Sequence, residues 1–124
     1  MVCLDTAAVI EYIRGNKKVG DIVDAAPDNT IAITVITRYE LLRQQDVGKR
    51  RATAAVMEKF VLLTFSRKAA DFSAAIYEKL KSKGTMINEN DILISGIAMA
   101  ENELLVATDR DFEKVEGLNV TIIS

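Results

Sequence analysis

The chain has 124 residues and a mass of 13.7 kDa, which is enough for one folded domain and too little for a second. Hydrophobic residues make up 49% and charged residues 27%, a composition typical of a globular protein and not of a disordered one. A formal charge of -2 argues at first sight against nucleic-acid binding. Because histidine is absent and Cys3 is the only cysteine, zinc sites, disulfides and His-based nucleophile pairs are excluded.

The first half of the chain alternates strands and helices. It predicts, in order, a strand over residues 1–4, a helix ending at Gly15, a helix over 19–26 stopped by Pro27, and a strand over 30–34. Thr37 is predicted to cap the next helix, because Glu40 follows it at the spacing of a capping box.

The second half continues the same alternation. It predicts a helix from Lys49 to about Phe60, a minor strand over 61–63, a long helix from Ser66 to Gly84, a buried helix over 90–100, and strands over 104–107 and 120–123. These strands are too far apart in sequence for hairpins, so the sheet should be mostly parallel, with helices on both faces. The expected fold class is α/β, in a single domain spanning residues 1–124.

Acidic residues lie where a parallel sheet binds its ligands, just beyond the carboxyl ends of the strands. Asp5 follows the first strand, Asp109 follows the strand over 104–107, and Glu40 lies in the helix after the second strand. Asp91 lies at the start of the buried helix. Taken singly, each acid is explained by a structural role, such as a helix cap or a turn residue.

Taken together, four carboxylates at one edge would repel one another and need a cation to stay ionised. Hard oxygen ligands of this kind select Mg²⁺ or Mn²⁺. Such ions activate water for attack on phosphorus, which supplies hydrolysis without any histidine.

Four sequence blocks carry a resemblance to a known family. The blocks are Leu4-Asp5-Thr6 with residues 9–13, Ile36 to Leu42 around Glu40, Asn90 to Ala98 around Asp91, and Thr108 to Phe112 with Gly117-Leu118. In this order and spacing the chain resembles the PIN-domain ribonucleases, and within them the VapC-type toxins of prokaryotic toxin–antitoxin pairs. The resemblance extends from residue 2 to residue 123.

The resemblance implies an endoribonuclease that requires Mg²⁺ or Mn²⁺ and carries its acids at Asp5, Glu40, Asp91 and Asp109. It also implies a homodimer, an RNA substrate, and a cognate antitoxin that covers the active-site groove. Asp111 competes with Asp109 as the fourth acid; Asp109 is preferred because it follows the strand more directly. The family usually has a hydroxyl residue where this chain has Ala7, which removes a donor near the carboxylates.

Other polar residues are candidates for supporting roles. Thr6 and Thr108 flank two of the acids, and Ser95 lies on the same helix face as Asp91, four residues later. Helix capping and close helix packing are the competing explanations. Six basic residues are candidate RNA contacts, although solvation or pairing with nearby acids explains them equally well: Arg14, Arg38, Arg43, Lys49, Arg50 and Arg51.

Two other functions remain open from the residues alone. An Asp-based phosphatase or phosphotransfer domain would need a second acid close to Asp5, and the phosphatase pattern is broken at Ala7. A non-catalytic binding module would leave the four acids apart, so their convergence is the test. The sequence predicts no membrane segment, and the absence of a basic leader before an apolar run predicts a cytoplasmic protein.

Overall fold

A computed structural model describes residues 1–44 and 46–123 of the chain. In this part of the chain, five short strands alternate with six α-helices and one 3-10 helix. The strands are β1 (Val2–Leu4), β2 (Ile31–Thr34), β3 (Val61–Leu63), β4 (Leu104–Ala107) and β5 (Val120–Ile122). The helices are α1 (Thr6–Ile13), α2 (Lys17–Ala25), α3 (Val35–Leu42), α4 (Val47–Met57), α5 (Arg67–Lys83) and α6 (Glu89–Ala100), and the 3-10 helix spans Arg110–Lys114.

The strands form one parallel sheet in the order β3-β2-β1-β4-β5. β1 lies at its centre, where Val2 is in register with Ile31 of β2 and Leu104 of β4. Because all the strands run the same way, the residues that follow β1, β2 and β4 meet at one edge of the sheet. We call this the carboxyl edge. The predicted α/β class with a parallel sheet is confirmed.

Alternate residues of each strand pack on opposite faces of the sheet. Val2 and Leu4 pack in a core with Val9 of α1 and with residues of α2, α3 and α4. Cys3, between them, packs on the other face with α5, α6 and the 3-10 helix. The helices therefore cover both faces, as predicted. Cys3 is fully buried and unpaired, and burial raises the pKa of its thiol to about 12, so it is an unreactive core residue.

Two local predictions were wrong or incomplete. Thr37 does not cap α3, because the helix begins earlier: Thr34 is the cap, and its hydroxyl accepts a hydrogen bond from the Thr37 N–H at 3.1 Å. Thr37 is instead a fully buried residue within the helix. The run over 61–63 is a full member of the sheet, since it pairs with β2 along its whole length.

Helices α5 and α6 pack closely against each other. A side chain at Gly96 would put its Cβ 1.9 Å from Ser73 Oγ and 2.8 Å from the Ala69 carbonyl oxygen, so only glycine fits there. The buried Ser73 hydroxyl donates to the Ile92 carbonyl at 3.2 Å. This hydrogen bond joins α6 to α5.

The long helix α5 has the limits that the sequence predicts. The Ser66 hydroxyl accepts from the Ala69 N–H at 3.1 Å, and Gly84 ends the helix in the left-handed conformation, at φ 66°. None of the helices within residues 1–44 and 46–123 is long and apolar enough to cross a membrane.

Candidate active site

Asp5 and Asp109 follow two neighbouring strands, β1 and β4, at the carboxyl edge. Asp5 directly follows β1 and caps α1, because its Oδ1 accepts from the Ala8 N–H at 2.7 Å. Asp109 lies two residues beyond β4 and caps the 3-10 helix, where its Oδ1 accepts from the Asp111 N–H at 2.8 Å. The structural roles considered for both residues are therefore real, and each hydrogen bond uses one carboxylate oxygen.

Asp91 and Glu40 reach the same edge from two helices. Asp91 lies in the first turn of α6. Since α6 runs back across the sheet to begin β4, its first turn lies at the carboxyl edge. Glu40 lies in α3, the helix that begins directly after β2. Both side chains are half-buried.

The electrostatics of Asp5 show how close these groups lie. Its carboxyl is only 5% exposed, and burial raises its pKa to about 7. The hydrogen bond from Ala8 opposes this change, while the negative charges of Asp91, Asp109 and Glu40 add to it. The Asp5 carboxyl is thus held close to its titration midpoint at neutral pH.

The pKa of Asp91 is raised by the same two causes, burial and the charges of neighbouring acids. Burial raises the pKa of Asp91 to about 6, and the charges of Asp109, Glu40 and Asp111 contribute in that order. The charges of Asp109 and Glu40 thus act on both Asp5 and the half-buried Asp91, and the charge of Asp91 acts on Asp5. The four carboxylates therefore converge at one edge of the sheet, which is the arrangement that a set of unrelated helix caps would not require.

Asp109 and Asp111 differ in their surroundings. The charge of Asp109 acts on both Asp5 and Asp91, whereas that of Asp111 acts on Asp91. Asp111 also forms an ion pair with Lys114, at 3.0 Å between Oδ1 and Nζ. Asp109 therefore acts on both Asp5 and Asp91, whereas Asp111 acts on Asp91 alone and also pairs with Lys114.

Hydroxyl groups extend from Glu40 into the core. Thr6 Oγ1 lies 2.8 Å from Glu40 Oε1 and 3.2 Å from Thr37 Oγ1, which in turn lies 3.5 Å from Thr34 Oγ1. Of these three threonines, the sequence pointed only to Thr6 as a support for the site. The missed signal is the spacing of Thr34, Thr37 and Glu40, three residues apart each time, which puts them along one side of α3.

Comparison with known proteins identifies the fold family. The family model described as PIN domain matches residues 2–118. This chain belongs to the PIN-domain family. A ribonuclease VapC3 from Methanocaldococcus jannaschii is 32% identical over 95 residues, covering 76% of this chain and 94% of the relative. Within the family, the chain is therefore of the VapC type.

Solved structures agree with this fold. A VapBC2 structure from Rickettsia felis, bound to a promoter DNA fragment, superposes with a TM-score of 0.84 at 22% identity and covers 100% of both chains. A toxin–antitoxin complex from Klebsiella pneumoniae superposes with a TM-score of 0.76 at 20% identity, and the match covers 98% of this chain and 96% of the other. The fold of a PIN domain leaves the phosphatase and phosphotransfer alternatives without support.

The remaining predicted supports of this PIN domain have different surroundings. Ser95 is fully buried on α6, and its hydroxyl has no hydrogen-bond partner within the described residues. It follows Asp91 by one helical turn. Thr108 is half-buried between β4 and Asp109, and in residues 1–44 and 46–123 its side chain forms no hydrogen bond with an acid.

The basic residues of the PIN domain are largely engaged with neighbours. Arg14 pairs with Glu11 at 3.4 Å, and Arg38 pairs with Glu58 at 3.3 Å. The other four are also placed by the structure: Arg43 stacks over the Tyr39 ring at 5.1 Å, Arg50 donates to the Gln44 carbonyl at 3.3 Å, and Lys49 and Arg51 are exposed. Surface pairs of this kind contribute little to stability, so these side chains can exchange partners readily.

The donor set of this PIN domain fits a hard divalent cation by its chemistry. Carboxylate oxygens are the ligands that Mg²⁺ and Mn²⁺ prefer, and the pKa values of Asp5 and Asp91 are raised first by burial and then by the negative charges of neighbouring acids. As the side chains stand, no three acidic or cysteine residues in the described part of the chain surround a common point closely enough to coordinate an ion. The structure thus places carboxylates at this edge without a formed coordination shell.

Proposed function

We propose that this PIN domain is an endoribonuclease dependent on Mg²⁺ or Mn²⁺ and the toxin of a prokaryotic toxin–antitoxin pair. One observation carries the proposal: at the carboxyl edge, the negative charges of Glu40, Asp91 and Asp109, which come from separate parts of the fold, add to the burial that raises the pKa of Asp5. Such crowding is costly for a fold and is typical of a site that a cation completes. The relative named ribonuclease VapC3 supports the same activity.

The four carboxylates would hold the cation, with Asp5 and Asp91 contributing the most deeply placed oxygens. When bound, a divalent ion supplies Lewis-acid polarisation of the phosphodiester and lowers the pKa of an attacking water. Asp5 Oδ1 stays fixed by the Ala8 N–H, so its other oxygen keeps one orientation. The ionised form of Asp5 would be favoured by a positive charge beside it, which opposes both the burial and the negative neighbours that raise its pKa, and the proton would leave to solvent.

The acid excess of the chain is compatible with RNA. When the four proposed ligands are taken from the 18 acidic residues, 14 remain against 16 basic ones. Arg14, Arg38, Arg43, Lys49, Arg50 and Arg51 are the proposed phosphate contacts, and all lie on or beside α1, α3 and α4. Thr6, Ser95 and Thr108 are proposed to support the acids.

An antitoxin and a second copy of the chain are the proposed partners. A groove of about 310 Å³ runs between α1 and α4, lined by apolar side chains such as Ile10 and Ile13 and bordered by Arg14 and Lys49. An apolar segment with acidic flanks would suit these walls. The toxin–antitoxin complex from Klebsiella pneumoniae supports such pairing for a chain of this fold. Homodimer formation and a cytoplasmic location stay predictions.

The test is cleavage of a panel of structured RNAs by the purified chain. We expect cleavage with Mg²⁺ or Mn²⁺, none in EDTA, and a loss of about 1000-fold or more in Asp5→Asn and Asp91→Asn, because each removes a charged ligand without changing side-chain size. Asp71→Asn is the matched control and should cleave normally, since Asp71 is an exposed acid on α5. Cleavage that persists in EDTA or in the two active-site variants would rule out the proposal.

A further inference from the structure

We propose that Thr37 is a positioning residue whose buried hydroxyl orients the Thr6 hydroxyl toward Glu40 and so holds Glu40 ready for the cation. The inference rests on the proposed function and adds to it a residue outside the set of acids. It comes from the row of oxygens formed by Thr34, Thr37, Thr6 and Glu40.

The direction of each hydrogen bond in this row follows from counting protons. A carboxylate only accepts, so the Thr6 hydroxyl donates to Glu40 Oε1 across 2.8 Å. A hydroxyl has a single proton, and that of Thr6 is now used. The 3.2 Å contact between the Thr6 and Thr37 oxygens can therefore be a hydrogen bond only if Thr37 donates to Thr6.

The start of the row is fixed by the backbone of α3. Thr34 Oγ1 accepts a hydrogen bond from the Thr37 N–H at 3.1 Å. The hydroxyl proton of Thr34 is then available to donate to Thr37 Oγ1 at 3.5 Å. Thr34 and Thr37 are both 0% exposed, so water does not compete for these protons. All the hydroxyls thus point their protons the same way, toward the negative charge of Glu40.

A row of donors that ends on an anion strengthens its last bond, because each hydroxyl polarises the next. The last bond also joins two elements: Thr6 is the first residue of α1, directly after Asp5, and Glu40 belongs to α3. Thr37 therefore acts on the spacing between two proposed ligands, Asp5 and Glu40, without contacting a cation. Loss of its proton would leave Thr6 free to rotate away from Glu40.

The experiment measures Mn²⁺ binding to the metal-free full chain by isothermal titration calorimetry, with RNA cleavage and the melting temperature in EDTA as companion readouts. Thr37→Val removes the hydroxyl and keeps the branched shape, and we expect it to raise the Mn²⁺ Kd roughly tenfold, at the low end of what loss of an outer hydrogen bond does to a metal site. Thr37→Ser keeps the hydroxyl and should bind as the wild type does.

Ser73→Ala is the matched control for burial. The Ser73 hydroxyl is also buried and makes one hydrogen bond, to Ile92, on the α5–α6 side of the sheet. Its removal should lower the melting temperature and leave the Mn²⁺ Kd unchanged. If Ser73→Ala and Thr37→Val weaken Mn²⁺ binding equally, affinity merely follows stability and the inference is wrong.

Thr6→Val provides the second variant, because Thr6 is half-buried at a helix start and tolerates the change even if Thr37→Val does not fold. It should raise the Mn²⁺ Kd at least tenfold, and Thr37→Val should add nothing in its background. An unchanged Kd in Thr6→Val, or in a folded Thr37→Val, overturns the inference and leaves the nuclease proposal intact. A wild-type chain that neither binds Mn²⁺ nor cleaves RNA overturns the nuclease proposal itself.

Discussion

The carboxyl edge and the α5–α6 pair both bury polar groups, and they do so with opposite outcomes. At the α5–α6 pair, the Ser73 hydroxyl is neutral, has its acceptor in Ile92, and fits against Gly96 without free space. At the carboxyl edge, Asp5 is equally buried but faces three other carboxylates, which raise its pKa further. The Ser73 hydroxyl is satisfied within the fold, whereas we propose that a cation completes the carboxyl edge.

This difference separates residues that stabilise the chain from residues that destabilise it. A buried neutral group with its partner contributes to stability, whereas a buried ion among like charges costs free energy. Substitutions at the two regions should therefore change stability in opposite directions. The most informative variants are those that keep the local hydrogen bond and change only charge or volume.

The largest expected effect is a gain of stability in Asp5→Asn. The pKa of Asp5 is raised to about 7 in the fold, above its value of about 4 in an unfolded chain, so folding favours the protonated form. The contribution of the Asp5 side chain to the free energy of unfolding is therefore fully present below about pH 4 and is lost as the pH rises through about 7. An asparagine side chain at this position stays neutral and caps α1 as well as an aspartate does. In EDTA at about pH 8, the variant should be more stable by up to about 4 kcal/mol.

Urea unfolding between about pH 4 and pH 8 measures this difference. The advantage of Asp5→Asn should shrink toward zero at the acid end and, at about pH 8, should also shrink when Mn²⁺ is added, since the cation binds the wild type. Asp71→Asn, on exposed α5 surface, should show no such pH dependence. An advantage that stays constant with pH would mean that the ionised Asp5 carboxylate is not what destabilises the edge.

The next effect has the opposite sign and comes from Gly96→Ala. The new Cβ would lie 2.8 Å from the Ala69 carbonyl oxygen as well as against Ser73 Oγ, so α5 and α6 must separate. We expect a loss of about 3 kcal/mol in the free energy of unfolding, measured by urea denaturation. Combining it with Ser73→Ala should recover part of the loss, because the contact with Ser73 Oγ would be gone, while those with the Ala69 carbonyl oxygen and with the Cβ of residue 73 would remain.

Gly20→Ala is the matched control for Gly96→Ala. Gly20 lies inside α2, and a Cβ there would meet no atom within 4 Å. Alanine should therefore stabilise the chain by roughly 0.5 to 1 kcal/mol through its lower unfolded-state entropy. If both glycine substitutions had the same sign, close packing of α5 on α6 would not be what Gly96 provides.

The sequence was sufficient for features that depend on short-range patterns. Asp5 and Asp109 follow short apolar runs, and Asp91 lies in the first turn of a helix whose apolar surface is continuous, so their positions at strand ends and in a first turn were predictable. The cap of α3 was not, because Thr34 and Thr37 both have a partner three residues later. The choice falls to Thr34 because β2 pairs with β3 up to that residue, which is a tertiary effect.

The raised pKa of Asp5 also depends on tertiary structure and could not be predicted from the sequence. The charges of the acids are in the sequence, but the burial that raises the pKa of Asp5 depends on β1 lying at the centre of the sheet. Strand β3 is similar: its short apolar run predicts only a minor strand, and pairing with β2 along its whole length makes it a full member of the sheet. Patterns thus located the candidate residues, while packing decides how they interact.

The last prediction concerns which residue, Asp109 or Asp111, is the fourth acid of the site. Asp109 acts on both buried acids, and Asp111 is paired with Lys114 at 3.0 Å. Asp109→Asn keeps the cap on the 3-10 helix, since asparagine accepts the same N–H. We expect it to lower RNA cleavage at fixed Mn²⁺ at least about tenfold more than Asp111→Asn does. Titrating Mn²⁺ in both variants shows whether the loss is in metal affinity. A larger loss in Asp111→Asn would make Asp111 the fourth acid and would mean that its pairing with Lys114 opens when the site is loaded.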